Sequence, residues 1–163
     1  MRVILNVLFD DYRFDWGVVK RELNKATAFY HNYGINLFAI ERIREPLIGT
    51  NLHFCEPNGS HAYPFQKKAL ITYSDWMSHP YQRVGLLSHE LGHAIFKLPD
   101  HYKESSYYEP SINPCIMRDI NELTFCSNCM QKIDEQVVSR RNLRTLGLIG
   151  LAFLAGSFLI AKK

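Results

Sequence analysis

Two histidines four positions apart, His89 and His93, enclose Glu90 in "SHELGHAIFKLPDHY", residues Ser88 to Tyr102. At 3.6 residues per turn, that spacing on a helix sets both imidazoles on one face, about one turn apart. Imidazoles so placed can share one tetrahedral zinc ion. Glu90, next to the first histidine, can lean over the open side of the metal and take the proton of a water that the cation has made acidic, while the cation polarises a carbonyl. The protonated glutamate can then pass its proton to a leaving amine. The chemistry this implies is hydrolysis of a peptide or amide bond.

A bare H-E-x-x-H also arises by chance, so the elements that carry it matter. Val84, Leu87, Leu91 and Ala94 or Ile95 form a helical stripe toward Phe96, and Pro80 suits a first helical turn. The histidines therefore ride on an amphipathic helix. Upstream, "RVILNVLF" (Arg2 to Phe9) reads as a buried strand. Val19, Leu23, Ala26, Tyr30 and Tyr33 recur at helical spacing from Trp16 onward, with Gly34 placed as the stop. "INLFAIERI" (Ile35 to Ile43) returns to strand character, so the opening is strand, helix, strand, the pattern of a crossover onto a parallel sheet. The fold class expected is α/β or α+β. A looser region with Pro46, Pro57, Gly59 and Pro64 follows, then a strand in "KKALITYSD" (Lys67 to Asp75). The segment after Leu98 reads as loop, and Leu123 to Arg144 as a last helix.

Three stretches resemble the metzincin clan of zinc peptidases. "HELGH" is the first; "LPDHY" (Leu98 to Tyr102) is similar to the snapalysin group, in which an aspartate after Leu-Pro takes the third ligand position. "CIM" (Cys115 to Met117) with "FCSNC" (Phe125 to Cys129) resembles the archaemetzincin group, where C-x-M is the Met-turn and a later C-x-x-C belongs to a structural zinc site. The resemblance spans most of residues 1 to 135. It implies a zincin-like small mixed sheet with an active-site helix, a zinc peptidase domain over residues 1–139, and extended substrate paired on an edge strand, for which "KKALITYSD" is the candidate. It also implies Asp100 as third zinc ligand, with His101 the competing choice, and Met117 packed beneath the metal. Phe96 stands where the clan has a glycine, and one extra residue precedes Leu98, so the counted ligand position falls on Pro99, which cannot bind zinc. Cys115, Cys126 and Cys129 are candidates for a second, structural zinc, with Cys55 or a histidine as fourth ligand. Tyr102 is a weaker candidate for assisting the transition state. His31, His53, His61 and His79 have no ligand spacing and read as surface or loop residues.

The formal net charge is +3, but the residues from Lys132 onward carry six basic groups against two acids, leaving about −1 for the rest. A basic face for nucleic acid is therefore not expected on the globular part. The N-terminus has no small-residue cleavage site after its short apolar run, so no signal peptide is expected. Thr145 to Ala161 carries no charge over seventeen residues, between Arg140, Arg141 and Arg144 on one side and Lys162 and Lys163 on the other. This segment, 140–163, reads as a basic juxtamembrane stretch and a C-terminal membrane anchor, with the domain cytoplasmic by the excess of basic residues on its side. Ala152 and Gly156 offer a small-residue pair for a weak homodimer of anchors. Two other readings stand beside the anchored peptidase: a gluzincin-type peptidase using Glu122, and a non-catalytic zinc-binding membrane adaptor.

Overall fold

The computed structural model describes residues 1–56, 59–101 and 114–139, so the anchor segment and Tyr102 lie outside the described residues. The chain divides into two compact units, Met1–Ser127 and Asn128–Lys163.

The first unit is built on a five-stranded sheet. β1 (Arg2–Phe9) pairs in parallel with β2 (Asn36–Arg42) on one side and β3 (Thr50–Cys55) on the other; β5 (Lys68–Thr72) continues the parallel run, and β4 (His61–Tyr63) closes it antiparallel to β5. The order is β2-β1-β3-β5-β4. Val3, Leu5 and Val7 alternate onto the buried face of β1, as a half-buried strand requires. Helix α1 (Trp16–His31) starts at Asp15, whose side chain accepts from the Val18 N–H, and buries Val19, Leu23, Ala26, Phe29 and Tyr30. It ends at His31, two residues short of Tyr33, and Gly34 supplies the left-handed φ of +71° in the turn that follows.

Helix α2 (Tyr73–Ser78) is short. Helix α3 (Arg83–Phe96) carries the motif and starts at Arg83 rather than at Pro80. It packs on α1, β4 and β5, and the buried Tyr30 hydroxyl donates to the Ser88 carbonyl at 2.7 Å, locking the two helices together. A further helix, α4, starts at 127 rather than at Leu123 and continues to 139, the last described residue, so 140–144 of the expected helix lie outside the described residues.

Two strands occupy the stretch that reads as loose in sequence. β3 hides because its outward positions, Asn51 and His53, are polar yet buried, while prolines and glycines crowd its flanks. "KKALITYSD" is not the edge: β5 lies between β3 and β4, and the edge strand is β4, only three residues long. The strand also stops at Thr72, whose side chain caps α2. His53 is buried rather than superficial, with Asp10 Oδ2 2.6 Å from Nδ1 and Glu45 Oε2 3.4 Å from Nε2. Glu45 lies in the connection between β2 and β3, which Asn6 and Asn51 also pin to the sheet through Ile48 O at 2.8 Å and Glu45 Oε1 at 3.0 Å.

Candidate metal centre

His89 and Glu90 are buried on α3 and His93 half-buried, and their placement depends on what passes beneath the helix. Gly85 and Gly92, seven apart, let a second segment approach the helix backbone. A Cβ on Gly85 would sit 1.8 Å from the Ile120 carbonyl oxygen, and one on Gly92 would sit 2.8 Å from Met117 Sδ. The segment from Cys115 to Ile120 is therefore laid directly on α3, with fully buried Met117 under the helix one residue before His93. The sequence carries the signal as a Gly-x6-Gly spacing, which the motif's own glycine obscures.

The helix ends by an unexpected device. Lys97 takes the left-handed conformation at φ +53°, and its N–H bonds to His93 O at 2.9 Å while Leu98 N–H reaches Gly92 O at 3.4 Å. A lysine thus does what a glycine ordinarily does, at a steric cost of about 1 kcal/mol. The left-handed turn is thus kept although Phe96 replaces the glycine expected one residue earlier. The sharp reversal returns Leu98, Pro99 and Asp100 toward the histidines.

Each histidine spends its Nδ1 on a carbonyl: His89 donates to Ile116 O at 2.9 Å and His93 to Leu98 O at 2.5 Å. A carbonyl only accepts, so Nδ1 holds the proton and a neutral ring presents a bare lone pair at Nε2. The two Nε2 atoms lie 3.1 Å apart, with Asp100 Oδ1 at 3.3 Å from His89 Nε2 and 3.1 Å from His93 Nε2. Three electron-rich atoms converging this closely repel one another unless a cation or proton lies among them. Ligands of a tetrahedral zinc at 2.0–2.1 Å are separated by about 3.3 Å, so the spacing fits that ion.

The titration of the cluster follows from the same geometry. Burial pushes the His89 imidazolium down, but the Asp100 carboxylate, then Glu90, outweigh it and set its pKa above the ordinary value. Burial pushes Asp100 up, yet the two imidazoles hold its carboxyl well below the usual carboxylate range. Glu90 is raised, because burial outweighs the pull of His89, His93 and, more weakly, His61. Its Oε2 is buried with no hydrogen-bond partner among the described residues. A carboxylate oxygen left without a protein donor in a cleft is free to accept from a molecule entering it.

That cleft, of about 340 Å³, is walled by Ser60, His61, Ala62 and Pro64 opposite His89, Glu90, His93 and Asp100. The opposite wall begins where β4 begins, and Asp75 fixes it: its Oδ2 accepts from Ser60 N at 2.5 Å and from Thr72 Oγ1 at 3.1 Å. His61 is thus a cleft residue, not a plain surface one; a three-residue strand offers no periodicity that would have signalled it.

His101 does not join His89 and His93. Its donor atom groups with those of Cys115 and Cys126, all three residues buried and these atoms within 4.8 Å of one another. Cys129 follows Cys126 by three residues, in the first turn of α4. Cys115 Sγ also accepts from Cys126 N at 3.4 Å, a contact that favours a thiolate. The four cysteines form no disulfides, and Cys55 lies outside the group. Imidazole and thiolate are ligands that a structural zinc takes. Glu122 belongs to neither cluster.

No protein-family model matches the chain, and no curated protein matches it. Among solved structures, it is similar to archaemetzincin from Methanopyrus kandleri, with a TM-score of 0.55 and 14% identity over 88% of this chain and 96% of that one. That likeness is one of fold. Myroilysin matches over 58% of this chain and 47% of its own, with 13% identity and a TM-score of 0.43.

Proposed function

We propose that the chain is a zinc-dependent peptidase whose metal is held by His89, His93 and Asp100. The observation that carries this reading is the convergence of three lone-pair donors, 3.1 to 3.3 Å apart, beside the buried and unpartnered Glu90 Oε2. Zinc in that place supplies a Lewis acid that polarises a carbonyl and lowers the pKa of water. Glu90 Oε2 takes the proton of the attacking water and returns it to the amine as the carbon–nitrogen bond breaks. An extended substrate pairs with the exposed edge of β4, whose residues wall the cleft, rather than with β5. His101, Cys115 and Cys126 hold a second, structural zinc, for which the C-x-x-C spacing in the sequence offers Cys129 as fourth ligand.

The readings through Glu122 and through an inert adaptor are weaker. Asp100 already completes the donor set, and mere retention of an ion gives no reason for a carboxylate oxygen kept without a partner. The proposal extends to residues 145–161 as an anchor that keeps the domain at a membrane, on its cytoplasmic side; protease digestion of intact and broken cells tests that orientation. Among the described residues no helix is long and apolar enough to cross a membrane.

The decisive variant is Glu90→Gln. It keeps the shape and the metal ligands, so zinc content stays at the wild-type level while cleavage of a generic peptide library falls by about 100-fold or more. Cleavage at the wild-type rate in that variant would end the peptidase reading.

A further inference from the structure

Away from the cleft, the sheet carries a second surface with a chemistry of its own. On β1, Val3, Leu5 and Val7 are buried, while Ile4 between them is exposed. Register sets Ile4 beside Phe38 and Asn6 beside Ile40, and side chains at paired positions share a face, so the exposed Phe38 and Ile40 stand with Ile4. The connection between β2 and β3 extends that face. Asn6 Nδ2 donates to Ile48 O at 2.8 Å, and Gly49 runs so close to β1 that a Cβ on it would sit 2.9 Å from Ile4 O. Leu47, fully exposed, lines a recess of about 490 Å³ together with Phe65, which is exposed as well. Ile4, Phe38, Ile40, Leu47, Ile48 and Phe65 thus form one apolar band, all of it within the first unit.

A contiguous apolar surface of this kind marks an interaction site. The charges around it decide which partner fits. Arg2 lies on the same face of β1 as Ile4, Arg42 Nε donates to Asn6 Oδ1 at 3.4 Å, and Arg44 and Lys67 are exposed in the segments that hold Leu47 and Phe65. The acid among them, Glu45, is held by Lys68 at 3.2 Å and by Asn51 at 3.0 Å, and Glu41, opposite Val7, belongs to the other face of the sheet. Cations around an apolar band match an anionic lipid surface, which takes apolar side chains at its acyl boundary and cations at its headgroups. The same cations repel a second copy of this face. Residues 140–163 carry five basic residues, Arg140, Arg141, Arg144, Lys162 and Lys163, and no acid, so they match it no better.

We propose that this face lies on an anionic phospholipid surface, with the apolar band at the acyl boundary and Arg2, Arg42, Arg44 and Lys67 among the phosphates. The inference rests on the reading of residues 145–161 as a membrane anchor and goes beyond it, since an anchor alone leaves the domain free to turn on its tether. From Ser127, where the first unit ends, α4 and a fully extended 140–144 reach about 40 Å. A tether that short gives an effective concentration on the order of millimolar, so a weak affinity of the face for lipid suffices. Pro64, which walls the cleft, directly precedes Phe65, so docking also fixes how the mouth of the cleft stands to the bilayer.

The full chain is reconstituted into vesicles of phosphatidylcholine and phosphatidylserine with brominated acyl chains. Resistance to carbonate extraction reports the anchor, and quenching of tryptophan by bromine reports the face. Leu47→Trp and Tyr81→Trp both alter fully exposed positions, the first in the band and the second between α2 and α3, and the wild type supplies the background of Trp16 and Trp76. In the anchored chain Leu47→Trp is quenched and Tyr81→Trp stays near background. An arginine beside an anionic surface is worth about fivefold in affinity, so Arg42→Gln with Arg44→Gln lowers the ratio of docked to free domain by about 25-fold and leaves carbonate resistance unchanged. A ratio unmoved in that double variant would overturn the match to an anionic surface. Equal quenching at Leu47→Trp and Tyr81→Trp in a carbonate-resistant chain would overturn the docking and leave the anchor standing. Leu47→Trp shielded from aqueous acrylamide yet unquenched by lipid would overturn it too, by giving the face to a second copy or to another part of the chain. A chain that carbonate releases would bring down the anchor reading and this inference together.

Discussion

A proton is what an incoming metal ion has to displace at this site. In the metal-free protein Asp100 and Glu90 keep His89 charged to a higher pH than an ordinary imidazole, despite burial. A ligand must shed its proton to bind metal, so the affinity of the site falls as pH drops through that raised value, and uptake near neutrality releases protons. Calorimetry of Zn2+ binding in two buffers of different ionisation enthalpy should show that release; an identical heat in both buffers would contradict it. Asp100 belongs to the same balance, and Asp100→Ala should weaken zinc binding by about 100-fold or more, beyond the range produced by residues that only orient a ligand. At this scale the sequence is most legible in "HELGH", where type and spacing coincide on one helical face. It is least legible at the third ligand. Asp100 and His101 are adjacent and chemically plausible alike, and only the left-handed Lys97, which nothing in its side chain announces, decides which of them turns toward His89 and His93.

Helix α3 holds its histidines in place by being smooth where the 115–120 segment passes beside them. Gly85 leaves no room at all, since the atom a Cβ would meet is backbone, the Ile120 carbonyl oxygen at 1.8 Å. Gly85→Ala should therefore cost about 2 to 3 kcal/mol, as overpacking that displaces a backbone segment does. Gly92→Ala meets a thioether that can rotate away, and should cost closer to 1 kcal/mol. Urea unfolding of the two variants checks the order; equal effects would mean that the 115–120 segment yields as readily as a side chain. The edge strand has a separate support in Asp75, whose carboxyl is driven up by burial but held lower overall by the Ser60 amide and hydroxyl and by Thr72. A depressed carboxyl contributes stability that is complete above its unfolded pKa and is lost as pH falls through the folded one. Asp75→Asn should thus weaken the fold by about 1 kcal/mol at neutral pH and less in acid. Elements of strong period, β1, α1 and α3, are legible in the sequence. β3 and β4 are not, because buried Asn51 and His53 interrupt the apolar pattern and three residues are too few to show one.

At the scale of the molecule, metal content and stability are one measurement. An ion that binds only the folded chain adds about 2.7 kcal/mol of stability when present at a hundred times its dissociation constant. For a chain of this size each kcal/mol moves the melting midpoint by roughly 2 to 4 °C, so one ion accounts for roughly 5 to 10 °C. Removing metal with a chelator should lower the midpoint of the wild type by at least that much, and reloading zinc should restore it. The cluster of His101, Cys115 and Cys126 carries its own share, because an ion held among buried donors binds only the folded chain. Glu90→Gln then separates the roles of the neighbouring side chains. Its Oε2 has no partner among the described residues to lose, and glutamine is neutral, so the variant escapes the cost of a buried carboxylate that the raised pKa expresses. The expected outcome is a metal-free midpoint equal to or above the wild type, with the same upward step on adding zinc. If that step shrank in Glu90→Gln, Glu90 would be holding the ion rather than waiting beside it. The protein would then use a carboxylate as a fourth ligand, and the position where water must enter would be closed.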